Sequence, residues 1–307
     1  MNSNSKILIF GSTGLIGSEI KKKLIHAGFK KILSPSKKKV NLLNLNQVKN
    51  YIKKHKPEII FNFAGLVGGI IANDLRPFDF VVENTLISTN LLLELKNIKP
   101  KLIIQPASAC FYPKSDNKIS EKNMLKGEIE KTNLGYAAAK INSSISLLSL
   151  NKQYKVNVCL PVITNTYGIN DRFNKSGAHV IPDLFSKFIK AKQKKQKKIM
   201  LLGSKKVKRE FIFAEDVADA ILYIIKKKYF NNLINVGHED EITIDQLANK
   251  IKNLIGYKGD IIYSGKYSGT KRKCLDSSIL LKKLKWKNNF SIDEGLKKVY
   301  QNLVNNF

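Results

Sequence analysis

Arginine is nearly missing from this 307-residue chain: of 54 basic residues, only Arg76, Arg172, Arg209 and Arg272 are arginine. The other 50 are lysines, spread over almost every predicted helix. A net charge of +30 carried this way reads as a generic basic surface and not as the single stripe that marks a nucleic-acid binder, so no nucleic-acid partner is expected. Where arginine does persist, a planar fork is needed that lysine cannot supply. Cysteine is also sparse. Cys110, Cys159 and Cys274 are odd in number and have no C-x-x-C spacing, which excludes a disulfide framework and a zinc site; no metal is expected. No stretch of 18 apolar residues occurs, and the best candidate, Ile59 to Ala72, is broken by Asn62 and by glycines. The opening MNSNSKILIF lacks the basic and long apolar parts of a leader. A cytoplasmic protein in a reducing compartment, with no membrane partner, is expected.

The length allows about two domains, or one large α/β unit with a lobe. Lys6 to Phe10 is a short apolar run that opens into Gly11, Ser12, Thr13, Gly14, Leu15, Ile16 and Gly17, followed by a helical pattern that stops at Gly28. Strand, glycine turn and helix in this order let the backbone approach a pyrophosphate, whose charge then faces free N–H groups at the helix start. A dinucleotide is therefore expected at Gly11 to Gly17. The second strand, Lys31 to Leu33, leads to Lys37, Lys38 and Lys39 and to no acidic residue that would hold a ribose 2′-hydroxyl. A 2′-phosphate fits better, so NADP(H) is preferred over NAD(H). Further strands fall at Glu58 to Asn62, leading to Ala64 and Gly65, at Lys101 to Gln105, and at Val156 to Leu160. Their alternation with helices predicts a doubly wound parallel sheet, a Rossmann α/β fold with a smaller mixed α/β lobe. The first domain is placed at 1–165, with the chain returning to it around 210–238, and the lobe at 166–307. Pro161 to Arg172 reads as the turn-rich boundary.

Tyr136 and Lys140 are four residues apart in a helical segment, hence on one face. A lysine beside a phenol favours the phenolate, which is expected to lower the pKa of Tyr136 and let it exchange protons near neutral pH. Ser108 follows the fourth strand and should lie at the carboxyl edge of the sheet, where the nicotinamide end of a dinucleotide would reach. The three groups would then meet around a carbonyl oxygen, with Lys140 also on the ribose hydroxyls.

A glycine turn followed by Ser108, Tyr136 and Lys140 resembles the extended, nucleotide-sugar branch of the short-chain dehydrogenase/reductase superfamily. Val67 to Asn73, Ser108 to Lys114, Tyr136 to Lys140, Ser176 to Pro182 and Lys208 to Phe211 are together similar to the GDP-L-fucose synthase family, which epimerises GDP-4-keto-6-deoxy-D-mannose at C3 and C5 and reduces it at C4. The resemblance spans the chain. It implies consumption of NADPH, a homodimer, Cys110 as the base and His179 as the acid of epimerisation, and Ala64, Gly65, Asn165 and His179 beside the cofactor. It also implies Lys187, Leu202, Arg209 and Asp276 against the GDP-sugar. Departures are present: Lys187 stands where the family commonly has arginine, Leu202 where tryptophan is usual, and Ala109 where a second serine is common. Two other readings stay open. One keeps only C4 reduction, leaving Cys110 and His179 unused, or acts as reductase or epimerase/reductase on a related deoxy or heptose GDP-sugar; the other is a silent NADP-binding protein whose basic surface engages nucleic acid.

Overall fold

The computed structural model describes residues 2–173, 177–265 and 269–305. The first half runs β1 (Ile7–Phe10), α1 (Leu15–His26), β2 (Ile32–Leu33), α2 (Leu45–His55), β3 (Ile59–Asn62), α3 (Ile70–Leu75), α4 (Pro77–Ile98), β4 (Leu102–Ile104), β5 (Ala107–Ser108), α5 (Leu134–Tyr154) and β6 (Asn157–Ile163). The second runs β7 (Asn165–Tyr167), α6 (Val180–Gln193), β8 (Lys198–Leu201), β9 (Lys208–Phe213), α7 (Ala214–Lys226), β10 (Leu233–Val236), β11 (Glu241–Thr243), α8 (Ile244–Ile255), β12 (Asp260–Tyr263), β13 (Arg272–Lys273) and α9 (Ile292–Asn305).

Seven strands form one parallel sheet in the order β2, β1, β3, β4, β6, β10, with β5 also beside β6. Both faces are covered, which explains why the strands read as unbroken apolar runs. Leu8, Phe10, Ile60 and Ile103 pack against Val48 of α2, Leu91 and Leu95 of α4 and Leu147 of α5, while Ile7, Ile9, Phe61 and Ile104 face Ile20 and Leu24 of α1 and Ile221 of α7. Each such side chain contributes about 1.5–3 kcal/mol by leaving water. The chain crosses from β1 to β2 on one side and returns to β3 on the other, so the switch in direction falls between β1 and β3, where ligands of open α/β sheets bind.

Two expectations change here. Pro161 does not end the fifth strand: β6 continues through it to Ile163, and residues 165–167 form a further strand. Proline is tolerated because the neighbouring strand is itself interrupted between Ile104 and Ala107, opposite Pro161, so its missing N–H breaks no continuous ladder. The lobe is built around β9, which pairs with β7, β11 and β13, while β8 and β12 form a separate two-stranded sheet. Its own core gathers Phe185 and Phe188 of α6, Leu247 and Ile251 of α8 and Leu296 of α9. From β9 the chain returns through α7 to β10 at the edge of the large sheet. Among the described residues, no helix is long and apolar enough to cross a membrane.

Candidate active site

At the end of β1, Gly11 adopts φ +72°, and a Cβ there would lie 2.6 Å from the backbone carbonyl carbon of Phe63 and 2.7 Å from the nitrogen of Ala64. The exits of β1 and β3 can therefore meet only with glycine at this position. Gly17 is equally constrained, because its Cβ would fall on the carbonyl oxygen of Gly11. Helix α1 starts at Gly14 with no side-chain cap and no acidic residue in its first turn, so its free N–H groups face outward, ready for an anion. Ser12 is buried and Thr13 exposed, while Leu15 and Ile16 are half-buried. Lys37 and Lys38 project from an exposed turn after β2 and have no ion-pair partner among the described residues. Beyond β3, Ala64 N–H donates to Asn62 Oδ1 at 3.3 Å, and the Asn84 side chain lies so near Gly65 that a Cβ would come within 2.9 Å of it.

Around the end of β5 the predicted acid/base groups come together. Gly135 lets the start of α5 approach α4, since a Cβ would lie 2.5 Å from the Pro77 carbonyl oxygen. That approach seats Tyr136 edge-on against Phe80, at a ring separation of 6.2 Å. The Tyr136 phenol is hydrogen-bonded to Ser108, whose hydroxyl also accepts from the Cys110 N–H at 3.2 Å. Lys140 donates to the Pro106 carbonyl at 3.0 Å, inside the strand interruption, and its ammonium lies 5.6 Å from the Tyr136 ring centre. Cys110 sits in a single tight turn, Ala109–Phe111, anchored by buried Phe111 and Tyr112. The Tyr112 hydroxyl donates to Asn235 at 2.7 Å, and that fully buried amide reaches on to the carbonyls of Ile119 and Asp276.

The protonation of Tyr136 differs from the sequence expectation. Burial pushes the phenol above its ordinary value, the nearby Cys110 adds to that push, and the Ser108 hydrogen bond offsets it only in part. Desolvation, which penalises the phenolate, outweighs any help from the lysine. Tyr136 accordingly keeps its proton, which is the form a donor needs. Burial acts on Lys140 too, lowering its ammonium to about 8.

His179 stands at the N-terminal boundary of α6, solvent-accessible yet enclosed by surrounding protein. Burial and the positive charge of Arg172 both lower its pKa, so the neutral ring prevails at pH 7 and the protonated form expected of an acid is the minority. The Gly69 N–H donates to Gly177 O at 2.8 Å and Arg172 Nη1 to Val67 O at 2.9 Å, so the segment leading to α6 is tied to the loop after β3. Ser176, part of the His179 motif, lies outside the described residues.

The residues expected against a sugar nucleotide are less uniformly placed. Arg209 on β9 is within electrostatic reach of Cys110 and Glu130. Asn165 donates to the Glu210 carbonyl at 2.8 Å, which fastens β7 to β9. Lys187 is held by Asp183 one turn earlier at 2.7 Å, and Leu202 is 42% exposed just past β8. Asp276 is not drawn to the Cys110 cluster: its carboxylate accepts the Ser278 N–H at 3.0 Å, and that local engagement holds its pKa down. The sequence assigned no role to Arg172, although as a rare arginine it carried a signal.

Sheet order, glycine turn and the Ser108–Tyr136 pair with Lys140 define a class, and comparison with known proteins agrees. Residues 7–237 match the NAD dependent epimerase/dehydratase family, and the chain belongs to it. Within that family, it is 35% identical to GDP-L-colitose synthase of Yersinia pseudotuberculosis, over 98% of both chains. It is 33% identical to GDP-L-fucose synthase of Sinorhizobium fredii, over 98% of this chain and 96% of that one. Among solved structures, a GDP-mannoheptose C4 reductase from Campylobacter jejuni with NADP bound superposes with a TM-score of 0.88 at 28% identity, covering 99% of each chain.

Proposed function

We infer that this protein is an NADP(H)-dependent GDP-sugar epimerase/reductase, and we propose that it converts GDP-4-keto-6-deoxy-D-mannose to GDP-L-fucose. The observation that carries the reading is the meeting of two chemistries at one sheet edge: a protonated phenol bonded to Ser108, and a thiol two residues beyond that serine. A C4 ketone acidifies C3 and C5, so a thiolate at Cys110 can remove those protons, and His179 returns them from the other face through its minority protonated form. NADPH, when bound, supplies hydride to C4. Tyr136 gives its proton to the forming alkoxide, Ser108 fixes that oxygen, and Lys140 holds the ribose hydroxyls. The uncapped start of α1 would take the pyrophosphate, with Lys37 and Lys38 on the 2′-phosphate, and the 166–307 lobe would hold the GDP-sugar through Arg209.

A second reading, reduction of a related deoxy or heptose GDP-4-keto sugar, is favoured by exposed Leu202 and by the capture of Lys187 by Asp183. One assay separates the two: NADPH oxidation with GDP-4-keto-6-deoxy-D-mannose, with the product identified by NMR. We expect GDP-L-fucose, a rate about tenfold lower with NADH, and a decline as pH rises through about 8, where Lys140 loses the charge that binds ribose. No oxidation with that sugar, but turnover of a deoxy or heptose analogue, would establish the second reading.

We also propose a homodimer in the reducing cytoplasm, where the three cysteines stay free. Phe78, Leu86 and Leu93 on α4 and Leu134 and Ile145 on α5 are exposed large apolar residues at helical spacing, on the helix that carries Tyr136 and Lys140 and on the one packed beside it. Light scattering should give twice the chain mass; a monomer at micromolar concentration would refute the pairing.

A further inference from the structure

Asn235 is a fully buried amide on β10, yet its surroundings are apolar: Leu233 on the same face of the strand, and Tyr112, Ile119 and Leu275, all belong to one core cluster. Burying an amide is costly unless its hydrogen bonds are made, and an aliphatic side chain would fill such a site without that cost. The amide bonds of Asn235 all cross to other segments. Its Oδ1 accepts from the Tyr112 hydroxyl at 2.7 Å, and its Nδ2 donates to the carbonyls of Ile119 at 2.8 Å and Asp276 at 2.9 Å. Both Nδ2 hydrogens are thereby used.

The segments joined in this way have separate tasks. Tyr112 closes the turn that carries Cys110: its N–H donates to Ala109 O at 3.2 Å, and its ring stands edge-on to Phe111 at 4.7 Å. Ile119 bridges to the chain that leaves β13, since its N–H donates to Cys274 O at 3.0 Å and its carbonyl also accepts the Asp276 N–H at 2.9 Å. That chain is fastened to β9 in turn, where the Glu210 carboxylate, next in sequence to Arg209, accepts the Leu275 N–H at 3.0 Å. Through the adjacent residues Leu275 and Asp276, hydrogen bonds thus connect the Cys110 turn, by way of Asn235, to the strand that bears Arg209. The groups of the reductive step are seated elsewhere: Ser108 on β5 beside β6, Tyr136 against Phe80, and Lys140 on the Pro106 carbonyl.

We propose that Asn235 is a positioning residue that fixes the Cys110 turn against the chain leaving β13, and so sets where the epimerisation base stands relative to a sugar nucleotide held at Arg209. The purpose rests on the epimerase reading; the physical link does not. Tyr112→Phe removes one hydroxyl and keeps the ring. In this full-length variant, entry of deuterium from D₂O at C3 and C5 of GDP-4-keto-6-deoxy-D-mannose should slow about tenfold, as a small displacement of a reacting group does, while the KM for that sugar changes less than about threefold. NADPH oxidation should stay within about threefold, so that part of the product is reduced at C4 without inversion at C3 and C5. A merely structural hydroxyl would slow both reactions alike. Backbone amide exchange without sugar, followed by peptide mass mapping, should quicken about tenfold at 109–112 and 274–276 together and stay unchanged at 7–17. Asn235→Ser serves should Tyr112→Phe not fold. Equal loss of both reactions, unaltered deuterium entry in a folded variant, or unaltered amide exchange at 109–112 overturns the proposal. Failure of the epimerase reading would appear separately, as wild-type protein that admits no deuterium at C3 or C5 of any GDP-4-keto sugar while the variant still loosens both segments.

Discussion

Tyr136→Phe is expected to slow NADPH oxidation about a thousandfold while deuterium from D₂O continues to enter C3 and C5 of the 4-keto sugar at a rate within about threefold of wild type. The variant removes one hydroxyl and keeps the ring against Phe80, so the packing of α5 on α4 is undisturbed. What is lost is the proton for the oxygen on C4. Because burial holds the phenol in its protonated form, this proton is available at neutral and mildly alkaline pH, and the decline above about 8 belongs to Lys140. Loss of exchange in parallel with reduction would mean that the phenol also serves the carbon acids, and the division of labour would fall.

The complementary result is expected of Cys110→Ala. Exchange at C3 and C5 should drop at least about a hundredfold, because no other side chain in the Ala109–Phe111 turn can take a proton from carbon. Stability should change by less than about 1 kcal/mol, since the thiol is only partly buried and the turn is fixed by its neighbours Phe111 and Tyr112. NADPH affinity should be unaltered, as the glycine turn is built independently at β1 and β3. Isotope incorporation measured by NMR, with NADPH binding followed by fluorescence, checks both statements. Exchange that survives in Cys110→Ala would transfer the base role to His179, whose neutral ring is already suited to accept a proton.

Much of this arrangement is legible in the sequence, because some chemistry is set by local order. The run from Lys6 to Gly17 specifies a strand, a turn that excludes side chains and a helix start without a cap, and the fold uses each of them. Four-residue spacing places Tyr136 and Lys140 on one helical face whatever else surrounds them. Position at the end of a parallel strand and in the turn just beyond it brings Ser108 and Cys110 to the carboxyl edge of the sheet. Arginine scarcity was informative too: Arg209 lies within electrostatic reach of the cluster, Arg172 adds to the burial that keeps His179 neutral, and Arg272 forks onto Glu241.

What could not be read there depends on burial and on pairing between distant segments. Adjacency of Tyr136 and Lys140 suggested a phenol of lowered pKa, yet desolvation by the packed helices raises it, and desolvation is a property of the assembled interior. Asp276 and Lys187 look available in sequence, but each is engaged by a neighbour, Ser278 or Asp183, once the backbone has folded. Lys273 is one lysine among 50, distinguished by nothing but the register of β13 on β9, which buries it beside Arg209. The residue types able to move protons are thus set along the chain by spacing. Which of them hold a proton, a charge or a partner is settled by packing, because the free energy of a charge depends on what surrounds it in space.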